Sequence, residues 1–221
     1  MKISRPVTHV IYDLDGVLLD TEPLYTRVTQ EIVGRYGKVF DWSIKKDMIG
    51  RPSIESARHL VSALELPIAP EEYLEARRHR LGELFLTTPA KDGAEEFSRA
   101  LHERGVAQAI ATSSEATLFE RKRTLHVDWF EVFAEVVTAD DPRVRSGKPA
   151  PDIFLVAAEA IAADPSACLV FEDSPAGIEA GLAAGMTVVA IPDPAMDRGL
   201  FAAADLIIDS FSSIAPEDFG L

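Results

Sequence analysis

Short apolar runs recur along the chain, and each of them stops at polar residues. The runs cover residues 8–12, 106–111, 135–138, 168–171, 187–191 and 206–208. Continuous apolar runs of this length indicate β-strands that are buried on both faces. Amphipathic helical patterns lie between several of them; one has Ala94, Phe97 and Leu101 on a single face and ends near Gly105. This alternation predicts an α/β fold with a doubly wound parallel sheet.

The segment 20–88 breaks the alternation. It contains amphipathic helical stripes and no convincing buried strand; the first stripe has Leu24, Val28 and Ile32 at a spacing of four, and Pro70 opens a later helix. The simplest interpretation is a small all-helical domain inserted after the first strand. We therefore predict a catalytic core made of residues 1–19 and 89–221, and a helical cap domain made of residues 20–88.

Composition and charge narrow the possible partners. The 221-residue chain has a formal net charge of −14, which disfavours binding to nucleic acid and to anionic membranes. No stretch approaches the apolar length of a membrane span. Cys168 is the single cysteine, so the chain can form no internal disulfide, which is compatible with a reducing compartment. We expect a cytoplasmic monomer.

Reactive side chains follow four of the apolar runs. In chain order they are Asp13 and Asp15, then Thr112 and Ser113, then Lys148, and then Glu172 and Asp173. Because the carboxyl ends of parallel strands meet at one edge of a sheet, we expect these side chains to lie around a common crevice.

These residue types suit phosphoryl transfer. Asp13 can attack phosphorus and form an aspartyl phosphate. Asp15 can protonate the leaving oxygen and then activate water. Asp13, Asp173 and the backbone carbonyl of Asp15 offer the hard oxygen ligands that Mg²⁺ prefers. The sequence therefore predicts a Mg²⁺-dependent site with these residues as metal ligands.

The remaining residues would bind the substrate phosphate. The Lys148 ammonium can neutralise charge on the phosphoryl oxygens, and the Thr112 hydroxyl and the Ser113 backbone N–H can cradle them. Glu172 has two interpretations. It binds the metal through a water molecule, or it only orients its loop.

The ordered set of motifs resembles a known superfamily. The segment Asp13-Leu14-Asp15-Gly16-Val17, followed by Thr112, Lys148 and Glu172-Asp173, is similar to the four motifs of the haloacid dehalogenase superfamily. The helical insertion resembles the small cap of its subfamily I. The resemblance implies a Rossmann-like core and catalysis through an aspartyl phosphate with Mg²⁺.

A closer resemblance indicates the class of substrate. Residues 18–22, 140–144, 147–154 and 168–175 are similar to the GS1-like branch, which includes pseudouridine 5′-phosphatase. This implies a phosphatase acting on a small phosphorylated metabolite, either a sugar phosphate or a nucleoside monophosphate. The chain is also similar to β-phosphoglucomutase, so a phosphosugar isomerase is the alternative.

Cap residues bear on that choice. Mutases of this kind hold a distal phosphate with a cap arginine shortly after a glycine. Alignment on Gly50 places Ser53 at that position, and Arg51 is displaced by two residues, which favours the phosphatase. Arg51 and Tyr25 are the candidate specificity residues. The alternatives are that Arg51 is an exposed loop arginine without such a role and that Tyr25 only packs against its neighbours.

Two other activities are disfavoured. Dehalogenases of this superfamily lack the second catalytic aspartate, so the presence of Asp15 disfavours that activity. Receiver domains of signalling proteins combine similar residues, but they carry their phosphorylated aspartate after an inner strand and have no cap.

Overall fold

The computed structural model describes residues 6–48 and 53–221. These residues contain a single parallel sheet with the strand order β3-β2-β1-β4-β5-β6. The strands are β1 His9–Tyr12, β2 Ala107–Ala111, β3 Glu135–Val137, β4 Cys168–Glu172, β5 Thr187–Ala190 and β6 Leu206–Ile207. Each lies within one residue of the predicted apolar run, so the predicted doubly wound parallel sheet is confirmed.

The helices within the described ranges include all those that the amphipathic patterns predicted. They are α1 Glu22–Gly34, α2 Trp42–Lys45, α3 Ser53–Ala63, α4 Pro70–Leu84, α5 Ala94–Glu103, α6 Ala116–Lys122, α7 Val127–Phe130, α8 Asp152–Ala160 and α9 Pro175–Ala183. The short helices α2 and α7 had no sequence prediction, because four residues show little periodicity. None of the helices in residues 6–48 and 53–221 is long and apolar enough to cross a membrane.

The sheet is buried on both faces, as its continuous apolar strands require. Tyr12 of β1 packs in a cluster with Phe97 and Leu101 of α5. Its neighbour Ile11 points to the opposite face and packs in a second cluster, with residues of α8 and α9. Successive strand side chains alternate between faces, so each strand supplies apolar residues to two cores.

The helices α1, α3 and α4 form a third apolar cluster, with Val28, Leu60 and Tyr73 buried in it. The chain crosses between this cluster and the sheet in two adjacent segments. The Asp20 N–H donates to Pro89 O at 2.9 Å, and the Lys91 N–H donates to Leu18 O at 2.8 Å. The helical nature of this segment is thus confirmed, while its role as a separate cap domain stays a prediction.

A buried polar network joins β1, β2, α5 and α7. The Tyr12 hydroxyl donates to Gln108 Oε1 at 2.8 Å, and Gln108 Nε2 donates to Ser98 O at 2.9 Å. The Trp129 indole N–H donates to Ser98 Oγ at 2.7 Å. Buried polar groups need such partners, because leaving one unpaired costs its full desolvation penalty.

We expect Tyr12→Phe to lower the free energy of unfolding by about 1 to 3 kcal/mol, because it leaves Gln108 Oε1 buried without its donor. Urea denaturation measures this loss. Adding Gln108→Leu should cost less than the sum of the two single changes, since it removes the orphaned acceptor. Tyr36→Phe, at an exposed tyrosine, is the matched control. Unchanged stability in Tyr12→Phe would contradict the assigned role of the network.

Candidate active site

The backbone ladder places the predicted residues at one edge of the sheet. The Asp13 N–H donates to Phe171 O at 2.9 Å, and the Thr112 N–H donates to Val137 O at 2.9 Å. Glu172 O accepts the N–H of Ile191 at 2.7 Å. The sheet itself therefore fixes Asp13 after β1, Thr112 after β2 and Glu172 at the end of β4, at the edge that the sequence predicted.

Lys148 connects these strand ends. Its Nζ lies 2.5 Å from Asp13 Oδ1, 2.7 Å from Glu172 Oε1 and 3.1 Å from Ala111 O. Its side chain is 6% exposed, and the Phe154 ring lies 4.8 Å away. A buried ammonium is stable only when charged and polar partners surround it, and here they come from three strands.

Glu172 orients its own loop as well as Lys148. Its Oε2 accepts the Ser174 N–H at 2.8 Å and the Ser174 hydroxyl at 3.0 Å. Gly177 allows this approach, because a Cβ there would lie 1.7 Å from Glu172 Oε1. These contacts fit the loop-orienting interpretation of Glu172.

Asp15 has a lysine of its own. Lys122 Nζ lies 2.6 Å from both Asp15 carboxylate oxygens, and the Ser114 hydroxyl donates to Asp15 Oδ2 at 3.0 Å. Neither Lys122 nor Ser114 was among the residues predicted from the sequence. Lys122 is the last residue of the seven-residue helix α6 and is 107 positions from Asp15, so no local pattern marks it.

Thr112 and Ser113 follow β2 with different exposures. Ser113 is exposed and lines the cavity beside Asp13. Thr112 is fully buried, and its Oγ1 accepts the Ser114 N–H at 3.0 Å. The same hydroxyl still has a proton to donate. Phosphate binding by Thr112, Ser113 and Lys148 stays a prediction.

The carboxylates are packed closely at this edge. Gly16 has a φ of +77°, and a Cβ there would lie 2.0 Å from Asp173 Oδ2, so only glycine lets Asp173 approach the loop after β1. Burial raises the pKa of Asp173, and the neighbouring Glu172 and Asp13 carboxylates raise it further. Burial also raises the pKa of Asp13 to about 7; Lys148 opposes this shift, while Glu172 and Asp15 add to it.

A cavity of about 290 Å³ opens above Asp13, at the small end of ligand pockets. Two ammonium groups and six carboxylates line it; they belong to Lys45, Lys148, Asp13, Asp15, Glu22, Glu172, Asp173 and Asp193. This excess of hard, negatively charged oxygen donors fits a divalent cation such as Mg²⁺.

Side chains alone do not complete a metal site. Across residues 6–48 and 53–221, no three His, Cys, Asp or Glu side chains are grouped so as to hold a metal. The predicted site uses the Asp13 and Asp173 carboxylates and a backbone carbonyl near Asp15, with Glu172 as a candidate ligand through water. It stays a prediction.

Of the two cap residues predicted to set specificity, the structure describes one. Arg51 lies outside the described residues. Tyr25 lines a neighbouring cavity with Tyr73 and Arg77, and its ring contacts Phe85 edge-on at 5.8 Å. The helical segment instead contributes other side chains to the cavity above Asp13, namely Glu22, Trp42 and Lys45. Periodicity could not find them, because a residue's type does not reveal which cavity it faces.

The known proteins to which this chain is similar agree with the family resemblance seen in its sequence. The family model for haloacid dehalogenase-like hydrolases matches residues 7–185. The (DL)-glycerol-3-phosphatase 1, mitochondrial, of Arabidopsis thaliana is 41% identical over 97% of this chain and 74% of the relative. A probable pseudouridine-5′-phosphatase of Drosophila melanogaster is 42% identical over 100% of this chain and 96% of the relative.

A solved structure has the same fold. The putative beta-phosphoglucomutase from Thermotoga maritima superimposes with a TM-score of 0.76 at 29% identity, and the match covers 96% of each chain.

The raised pKa of Asp13 predicts a pH-dependent stability difference. An unfolded aspartate has a pKa of about 3.9, so the folded chain retains this proton to a higher pH, and its stability falls as pH rises toward 7. Asp13→Asn removes this penalty. In chelator, we expect the melting temperature of the variant relative to wild type to increase from pH 4 to pH 7 and to level off above that. A difference independent of pH would contradict the assignment.

Proposed function

The chain belongs to the haloacid dehalogenase-like hydrolases, and we propose that it is a Mg²⁺-dependent phosphatase that hydrolyses a small phosphate monoester. One observation carries the proposal. Asp13 and Asp15 line the same cavity, and each carboxylate is held by a different lysine. Two aspartates in distinct settings can divide the work of nucleophile and proton carrier.

Asp13 performs the first half of the reaction. Lys148 binds Asp13 Oδ1, which leaves the other oxygen to attack phosphorus. As the new O–P bond forms, the bond from phosphorus to the ester oxygen breaks. Asp15 donates a proton to that leaving oxygen, so the product leaves as a neutral alcohol. An aspartyl phosphate remains on Asp13.

Asp15 performs the second half as a base. A water oxygen attacks the phosphorus of the aspartyl phosphate, and the proton of that water passes to Asp15. The bond from phosphorus to Asp13 then breaks, which restores the Asp13 carboxylate and releases phosphate. Thr112 and Ser113 donate to the phosphoryl oxygens through both steps, and the nearby Lys148 ammonium stabilises the negative charge on those oxygens.

Mg²⁺ would be held by Asp13, Asp173 and the Asp15 backbone carbonyl. When bound, it supplies the positive charge that lets a dianionic ester approach a cavity lined mostly by carboxylates. We assign Glu172 to orienting Lys148 and the loop at Ser174.

We propose that residues 20–88 act as a cap over the core of residues 1–19 and 89–221, and that the cap selects the substrate. Glu22 and Lys45 form an ion pair at 3.1 Å beside the cavity, and Trp42 offers an aromatic face. Tyr25 and Arg51 stay candidates for the same role. A polar pair next to an aromatic ring suits a hydroxylated metabolite, either a sugar phosphate or a nucleoside monophosphate.

The relatives support this substrate class. One is named a glycerol-3-phosphatase and another a probable pseudouridine-5′-phosphatase. The structural neighbour titled a putative beta-phosphoglucomutase keeps a phosphosugar isomerase as the second candidate. A cytoplasmic location and a monomeric state remain predictions from the sequence.

The mechanism predicts loss of turnover in two variants and in chelator. With p-nitrophenyl phosphate and Mg²⁺, Asp13→Asn should fall to background, because no aspartyl phosphate can form. With glycerol 3-phosphate, Asp15→Asn should lose about 10²- to 10⁴-fold in kcat. EDTA should abolish activity until Mg²⁺ is restored. The control is Asp128→Asn at an exposed carboxylate outside the cavity. Full activity in EDTA would refute the role of the metal.

The substrate class can be tested with a panel of esters in Mg²⁺. We expect kcat/KM to be highest for a glycerol or sugar phosphate, or for pseudouridine 5′-phosphate, with release of inorganic phosphate. Trp42→Ala should lower kcat/KM for that substrate more than for p-nitrophenyl phosphate, since Trp42 lines the cavity from the helical segment. Formation of an isomeric sugar phosphate without phosphate release would favour the isomerase.

A further inference from the structure

Lys122 is a buried lysine that the proposed reaction does not use. It closes helix α6, and its side chain is 1% exposed. An ammonium in such a position is costly unless charged and polar partners surround it. The identity of those partners indicates what Lys122 does.

One side of Lys122 contacts the proposed proton carrier. Its Nζ donates to both Asp15 oxygens at 2.6 Å and to the Ser114 hydroxyl at 2.8 Å. Ser114 in turn donates to Asp15 Oδ2 at 3.0 Å. The Asp15 side chain is 24% exposed and lines the cavity above Asp13. Each carboxylate oxygen has a second lone pair, so Asp15 can contact Lys122 on its buried side and the substrate on the other.

The other side of Lys122 contacts the helical segment. The Phe85 ring centroid lies 4.6 Å from Nζ, and the Tyr25 hydroxyl lies 3.4 Å from it. Tyr25 lies in the first turn of α1, just after the chain leaves the sheet, and Phe85 follows α4, just before the chain returns. Lys122 therefore contacts both ends of the segment that we propose as the cap.

We propose that Lys122 is a positioning residue that holds the Asp15 carboxylate at the cavity and links its orientation to the position of the cap. This inference rests on the proposed function. Displacement of the cap would take Tyr25 and Phe85 away from Lys122, and the ammonium would lose the aromatic face that stabilises it. Asp15 would then be held in its working orientation only while the cap covers the site.

Kinetics of Lys122 variants test the positioning role. With glycerol 3-phosphate as the probe, we expect Lys122→Met to lower kcat about 10- to 100-fold, because a misplaced proton carrier slows both half-reactions. KM should change by less than about threefold, since Lys122 does not line the cavity. Lys122→Arg should restore part of kcat. A rise in KM with unchanged kcat would overturn the proposal.

A double-mutant cycle shows whether Lys122 acts through Asp15. With p-nitrophenyl phosphate as the probe in both backgrounds, Lys122→Met should lower the rate when Asp15 is present but should change the residual rate of Asp15→Asn by less than about twofold. The same fractional loss in both backgrounds would overturn the proposal, because Lys122 would then act by another route.

Phe85→Leu tests the link to the cap. It keeps an apolar side chain but removes the ring beneath Lys122. We expect a smaller loss of kcat than in Lys122→Met, and no further loss when the two are combined. Arg121→Met is the matched control: Arg121 precedes Lys122 on α6 and donates to Gly82 O of the helical segment, but it makes no contact with Asp15. An equal loss in Arg121→Met would overturn the link.

The controls separate this inference from the proposed function. The wild-type protein must first show turnover, and Asp13→Asn must abolish it; this establishes the phosphatase. Only then do the Lys122 variants report on positioning. Circular dichroism and melting curves check that each variant folds. If Lys122→Met does not fold, Lys122→Arg and Phe85→Leu take its place in the wild-type and Asp15→Asn backgrounds. An equal fractional loss of rate in the two backgrounds would then overturn the proposal.

Discussion

One buried ammonium group, Lys148 Nζ, holds the active edge of this protein together. It joins Asp13 after β1, Ala111 at the end of β2 and Glu172 at the end of β4. Burying an ammonium is costly unless every donor has a partner, so the lysine and its acceptors determine one another's positions. The same lysine contacts only Oδ1 of Asp13, and Asp13 lines the cavity.

The carboxylates around Lys148 outnumber the nearby cations, and this excess opposes stability. Gly16 and Gly177 have no side chain, and that lets Asp173 and Glu172 approach where a Cβ would collide. A chain selected for stability alone would not concentrate like charges at a buried strand edge. Such a concentration is typical of sites that bind a divalent cation and transfer phosphoryl groups.

Membership of the haloacid dehalogenase-like hydrolases accounts for the sheet and the helical segment together, since the family model spans residues 7–185 and a solved structure matches over 96% of each chain. The helical segment contributes Glu22, Trp42 and Lys45 to the cavity above Asp13, so two parts of the chain line one cavity. Lys122 belongs to the core but contacts Tyr25 and thereby lies between the two parts.

Strand burial and the order of the motifs can be read from the chain alone. They predicted the sheet, the helical insertion and the location of Asp13, Lys148 and Glu172 at one sheet edge. Only the tertiary structure showed that Lys122 pairs with Asp15, since the two are 107 residues apart and meet through the packing of α6. It also decided that Trp42 faces the cavity. Periodicity specifies which face of an element is apolar, but the neighbour that each polar side chain meets depends on how the elements pack together.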